Sequence, residues 1–170
     1  MGMTEVDTTK INTEIGIKIG SDDAPKKIVE FVNLRCPYCR KWSDEKNDLL
    51  QELVNDGKIQ RIIKLFDKEK PTLAVGNVMH HHVPNDETAL SAILAIYNSQ
   101  DAWGQLESHE EVAAYATDVL NLTLQDYEVT SQAIVEETKE SNVFFIPTMI
   151  VEDQVFDQKI SNEELLDLLK

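Results

Sequence analysis

The chain has 170 residues, 42% of them hydrophobic and 28% charged, a balance that excludes a disordered or fibrous chain and fits one domain with an adequate core. Its 31 acidic and 16 basic residues leave a net charge of −15, so binding to nucleic acid or an anionic lipid surface through a basic patch is excluded as a leading function. Two cysteines, three positions apart, are too few and too close for a structural disulfide framework and point to chemistry instead.

The first 13 residues are mostly polar and read as a flexible tail. Met1 to Lys18 lacks a basic stretch followed by an apolar one, and the chain contains no apolar run long enough to span a bilayer. The expected location is therefore the cytoplasm, with no membrane partner. Ile15 to Ile19 alternates branched apolar residues at period two, a strand signal, and Gly20 to Pro25 is a turn by composition. Lys27 to Leu34 reads as a largely buried strand, and the cysteine pair follows it directly. From Arg40 onward Trp42, Leu49, Leu50, Leu53 and Val54 share one helical face, which Asn55-Asp56-Gly57 stops before an isoleucine-rich strand from Ile59 to Phe66. Strand, helix and strand in that order imply a parallel pair.

A long helical stretch comes next. Pro71-Thr72 opens a helix towards His82, and Pro84-Asn85-Asp86 opens a second with Leu90, Ile93, Leu94 and Tyr97 on its inner face. Ser108 and Glu111 form a capping box for a third, whose stripe is Val112, Tyr115, Ala116 and Val119, and a fourth carries Leu124, Tyr127, Ser131 and Ile134. Strand patterning returns from Val143 to Val151 and at Val155-Phe156, before a last helix that starts at the capping box Ser161 to Glu164 and packs Leu165, Leu168 and Leu169. The strands on either side of the helical stretch need each other to form one sheet. Residues 14–68 and 141–170 are thus expected to make an α/β domain with a central mixed sheet flanked by helices, and 69–140 an inserted all-helical subdomain.

Cys36-Pro37-Tyr38-Cys39 lies where a buried strand gives way to a helix. Unpaired N–H groups and the positive end of the helix dipole lower a thiol pKa there, and the thiolate is the nucleophile of thiol–disulfide exchange. Pro37 suits the first helical position, and Cys39, one turn on, can resolve a mixed disulfide formed at Cys36. Half a zinc site and two merely small buried residues are the competing readings. Arg35, Arg40 and Lys41 set positive charge around the motif; they either favour the Cys36 thiolate or are solvated side chains at a helix start. In Phe145-Ile146-Pro147-Thr148-Met149 the proline confines its strand to an edge, a bulge or a cis bond. Of His80-His81-His82, at most one or two can join the cysteines around zinc, because adjacent helical side chains point about 100° apart; the alternative is a solvated helix end. Trp42, Trp103 and Tyr97 are simplest as core or domain-interface residues.

Taken together, Gly20 to Pro25, Val29-Glu30-Phe31, Cys36-Pro37-Tyr38-Cys39 and Ile146-Pro147-Thr148 make the chain resemble the DsbA-like group of thioredoxin-fold proteins. Cys36 and Pro147 stand 111 positions apart, which leaves room for the helical domain that this group inserts into the thioredoxin fold. The resemblance implies that Cys36 attacks and Cys39 resolves, with Pro147 a cis-proline facing the disulfide. It implies that Ile146 offers backbone hydrogen bonds to an extended substrate, a form of strand addition. Glu30, six positions before Cys36, matches a buried acidic residue used in proton transfer; its bland reading is an exposed strand-end carboxylate. The Pro-Tyr dipeptide departs from the Pro-His of the best-known DsbA pattern and is familiar from glutaredoxins, so the reduction potential is left open. The expected function is a thiol–disulfide oxidoreductase acting on protein or peptide thiols and disulfides, with glutathione as a further thiol. Arg35, Pro37, Tyr38 and Glu30 would support the site, and neither organic cofactor nor metal is called for. Two alternatives stand beside it: a glutathione-linked transferase or isomerase, and a redox-sensing or zinc-holding interaction module.

Overall fold

The computed structural model describes residues 5–170. Its sheet has five strands: β1 (Ile17–Ile19), β2 (Lys26–Val32), β3 (Ile59–Leu65), β4 (Thr148–Val151) and β5 (Gln154–Phe156), in the order β1-β3-β2-β4-β5. Helix α1 (Pro37–Asn55) connects β2 to β3, which pair in parallel. Between β3 and β4 come α2 (Pro71–His80), α3 (Ala89–Asn98), α4 (Gln100–Trp103), α5 (His109–Ala114) and α6 (Glu128–Ser141); α7 (Asn162–Leu168) closes the fold. This is the expected mixed sheet flanked by helices, with the thioredoxin-like order interrupted by helices.

Period-two alternation sends successive strand residues to opposite faces. Ile28, Ile59, Met149 and Val151 point to one side, where Trp42 and Leu50 of α1 and Leu165 of α7 cover them. Val29, Phe31, Ile62 and Ile150 point to the other, against Ile134 of α6 and Val143. Side chains as fully buried as Ile28 and Phe31 contribute about 1.5–3 kcal/mol each. A third cluster joins the end of the sheet (Val32, Ile63, Leu65) to Met79, Ile93, Ile96, Tyr97, Trp103 and Val112 of the inserted helices, and it includes both cysteines. The helices between β3 and β4 therefore roof the cysteines.

β2 lies at the centre of the sheet, with β3 parallel on one side and β4 antiparallel on the other. Its register with β4 matches Val29 to Ile150, Glu30 to Met149 and Phe31 to Thr148. Continued by two pairs, that register sets Pro147 opposite Val32 and Ile146 opposite Asn33, on the stretch that leads from β2 to Cys36.

Several expectations are corrected. Residues 5–13, expected within the tail 1–13, are fastened to the body: Asp7 N–H donates to Ser141 O (2.8 Å) and Asn12 N–H to Glu137 Oε2 (2.7 Å). Residues 1–4 lie outside the described residues. β1 starts at Ile17 rather than Ile15. The inner face of α3 is Ala89, Ala92, Ile93, Ile96 and Tyr97, with Leu90 and Leu94 half-buried beside it. After α5 the chain makes a π turn, Tyr115–Val119, closed by Leu120 N–H on Tyr115 O (3.1 Å). The wider turn rotates the stripe, so Val112 and Ala116 are buried while Val119 is 56% exposed. Leu124 precedes α6 and is exposed. The strand expected from Val143 is regular only from Thr148, since Pro147 has no N–H for a ladder. The Ser161 capping box has both of its bonds.

Candidate active site

Cys36 is the N-cap residue of α1, in extended backbone (φ −69°, ψ 124°), and Pro37 occupies the first helical position. No side chain caps this helix end, so its first N–H groups face the sulfur. Both cysteines are free thiols. The Cys36 pKa falls to about 6 from 9.0. A hydrogen bond from the Cys39 thiol contributes most and burial opposes it; backbone N–H groups of Cys39 and Tyr38 and the charge of Arg35 add to the lowering. Burial pushes the Cys39 thiol well above its usual value, and the bond and charge it shares with Cys36 raise it further. One sulfur is ionised near neutrality and the other holds a proton beside it. The peptide bond between Ile146 and Pro147 is cis, and Ile146 O lies 3.9 Å from Cys36 Sγ. Around them Tyr38, Phe144 and Phe145 are exposed, at 59%, 40% and 54%.

The loop from Asn33 to Arg35, which carries Cys36, is held from both directions. Asn33 Nδ2 donates to Phe66 O (3.1 Å) and Asn77 Oδ1 (3.2 Å), and Asn33 Oδ1 accepts Arg35 N–H (2.9 Å). Gln100 Nε2 of α4 donates to Leu34 O at 2.8 Å. Leu34 N–H donates to His80 Nε2 at 2.9 Å. That acceptor must be unprotonated, so the His80 proton sits on Nδ1, 2.8 Å from Asp67 Oδ1. Burial lowers the His80 pKa against the pull of Asp67, which favours the neutral ring. His81 Nε2 meets the other Asp67 oxygen at 2.7 Å, and its ring stacks on Tyr127 with centroids 3.5 Å apart. Burial raises the Asp67 pKa, but the two imidazole bonds outweigh it and bring it to about 2.

Glu30 is 1% exposed, which overturns its reading as an exposed strand-end carboxylate. Arg61 grips it with two bonds (Nε to Oε2, 2.8 Å; Nη2 to Oε1, 2.9 Å), and Trp42 Nε1 donates to Oε1 at 2.8 Å. Among the described residues no hydrogen bond joins Glu30 to either cysteine. Of the three flanking cations, Arg40 is taken up by Asp101 (3.0 Å) and Asp44 (3.8 Å), Lys41 is exposed, and Arg35 adds to the Cys36 shift. The histidines are not a solvated helix end: His80 and His82 are buried, and His82 Nδ1 meets Val78 O at 2.7 Å. Nor do they gather around the cysteines, and among the described residues no group of three or more His, Cys, Asp and Glu is placed to hold a metal. Trp42, Trp103 and Tyr97 are buried, as core residues should be.

Sequence reasoning missed Asn33, Gln100 and the true role of His80. Only the polarity of Asn33 at the end of a buried strand hinted at a structural duty, because the partners of all three are distant in sequence. Tyr97, expected as a core or domain-interface residue, packs in the cluster that contains both cysteines, and burial first, then the charged groups around it, raises its phenol pKa.

Residues 12–170 match the family model described as Thioredoxin. Probable disulfide bond formation protein D of Bacillus cereus is 44% identical over 43 residues, a match that spans 25% of this chain and 20% of that protein. A conserved protein of unknown function from Enterococcus faecalis V583 superposes with a TM-score of 0.97 at 45% identity, over 99% of this chain and 97% of that one. Oxidised BdbD from Bacillus subtilis shares the fold at 13% identity, with a TM-score of 0.67 over 97% of this chain and 94% of its own.

Proposed function

The chain belongs to the thioredoxin family, and from that premise we propose that it is a DsbA-like thiol–disulfide oxidoreductase working through Cys36. What carries the reading is the asymmetry of the two thiols, one with a pKa near 6 at a helix N-terminus and one buried and protonated. At pH 7 about nine-tenths of Cys36 is thiolate on that value. The thiolate attacks a substrate disulfide along its S–S axis; a bond forms from Cys36 Sγ to one substrate sulfur, and the other leaves as a thiolate. Cys39 then gives up its proton, attacks Cys36 Sγ and releases the second substrate thiol. Two electrons pass to the substrate and the Cys36–Cys39 disulfide remains; run backwards, the same steps oxidise a dithiol.

Ile146 and Pro147 form the docking edge of this reading. An extended peptide pairs with the Ile146 backbone while Tyr38, Phe144 and Phe145 take its apolar side chains, which gives three solvent-facing apolar groups beside a nucleophile a reason to be exposed. The cytoplasmic placement read from the sequence belongs to the proposal, and cell fractionation with rapid alkylation of thiols checks it. The mechanism is tested with a peptide disulfide and the variants Cys36→Ser and Cys39→Ala. Cys36→Ser should abolish exchange, and Cys39→Ala should stop at a mixed disulfide on Cys36 visible by mass. Turnover that survives Cys36→Ser sinks it.

A further inference from the structure

Gly76 lies in the interior of α2, where glycine costs about 1 kcal/mol relative to alanine. Its backbone is not left-handed, so conformational freedom does not explain it. Space does. A Cβ at Gly76 would stand 2.1 Å from Asn33 Oδ1 and 2.8 Å from both the Cβ and the N of Arg35. Gly104, just past α4 with an ordinary right-handed φ of −66°, is crowded as well: a Cβ there would stand 2.5 Å from Gln100 O, 2.8 Å from Arg35 Nε and 2.9 Å from Cζ. Neither position has room for a side chain, and Arg35 lies against the two of them from its backbone to its guanidinium, with Asn33 Oδ1 and Gln100 O closer still.

The guanidinium so lodged has no carboxylate partner among the described residues, in a chain with 31 acidic side chains. Other charged groups of the region answer one another: Arg40 pairs with Asp101 and Asp44, Arg61 with Glu30, and Asp67 with His80 and His81. Lys68 donates to Phe144 O (2.9 Å), on the loop that leads to Pro147, and so adds a second cation on the substrate side. A half-buried Arg with an open fork matches a carboxylate in two bonds.

We propose that Arg35, seated in the channel left by Gly76 and Gly104 beside Cys36, binds a carboxylate that the substrate carries next to its reacting sulfur, making acidic thiols and disulfides the preferred partners. The proposal rests on the exchange reading of the same site and adds its substrate class. The carboxylate comes from an acidic residue of a peptide or from a small acidic thiol such as glutathione.

The test follows oxidation of the reduced protein by peptide disulfides whose single cysteine is flanked by Glu, Gln or Lys, and by glutathione disulfide. Because a hydrogen bond to a charged group is stronger than one to a neutral amide, the Glu peptide should react at least about tenfold faster than the Gln peptide, with Lys slowest. Arg35→Gln should bring the Glu-to-Gln ratio below about twofold, whatever it does to the absolute rates, and Arg35→Lys should restore part of it. Gly104→Ala keeps the charge but crowds the fork together with Gln100 O, and should shrink the ratio too. Glutathione disulfide losing as much rate as the Glu peptide in Arg35→Gln assigns small thiols to the site; a loss confined to peptides assigns peptides. An equal Glu-to-Gln ratio in wild type and Arg35→Gln overturns the proposal and leaves the exchange reading intact. Failure of every disulfide to react overturns the exchange reading and the proposal with it.

Discussion

Glu30 and Asp67 are two carboxylates near the cysteine pair, one within β2 and one just past β3, and each is neutralised by neighbours of a different kind. Glu30 is clamped by the permanent charge of Arg61, which cannot be titrated away. Asp67 is held by two imidazoles, one of which must stay neutral to accept Leu34 N–H. The region under α1 therefore keeps its shape with groups indifferent to pH near neutrality. The inserted helices grip the active-site loop with groups that respond to it.

Arg61→Met should cause the largest loss, because it strands the buried Glu30 charge: about 3–5 kcal/mol of stability in urea unfolding, much of it recovered in the double variant with Glu30→Leu. A full loss that persists in the double variant would mean that the pair works by packing alone. His80→Phe leaves Leu34 N–H without its acceptor and Asp67 with His81 as its one remaining imidazole, at a cost of about 2 kcal/mol. It should also raise the Cys36 pKa, read from thiolate absorbance, since the loop that aims the sulfur is loosened.

The pH dependence separates the two regions further. His80 has a folded pKa below its unfolded value of 6.5, so the unfolded chain binds more protons and the native state loses stability as pH falls through that value. His80→Phe should lose this acid sensitivity, and Arg61→Met should keep it. Cys36 is likewise lowered, from 9.0 to about 6, so the dithiol form gains stability as pH rises between those values, a slope absent in Cys36→Ser. The smallest effect belongs to a site remote from both carboxylates: Ser161→Ala removes a cap from α7 and costs about 1 kcal/mol, with the Cys36 pKa unchanged.

What could be read from the sequence follows the range of the contacts. Cys36, Pro37 and Cys39 were legible because a strand, a proline and a helix stripe lie within a few positions of them. The Ser108 cap and the Ser161 capping box were legible for the same reason. Pro147 acquired meaning only when set beside the cysteine motif. The clasp on Leu34 was not legible, since His80 stands 46 positions away and an imidazole triplet looks the same whether it binds metal, solvent or a backbone N–H. Gly76 was passed over because a helical glycine declares its reason only when its neighbour is seen. The π turn at Tyr115 broke a stripe that ordinary helical spacing had carried on to Val119.

The register of β2 with β4 has a consequence for how the protein is made. Cys36 leaves the ribosome more than a hundred residues before Ile146 and Pro147, and those two reach it only when β4 docks against the middle of the sheet. Until then the growing chain carries a helix-capping cysteine with no docking edge beside it. On the proposed reading, selective exchange with an extended peptide thus requires synthesis through β4 and closure of the sheet, and a chain cut short of β4 would keep the cysteine without that docking edge.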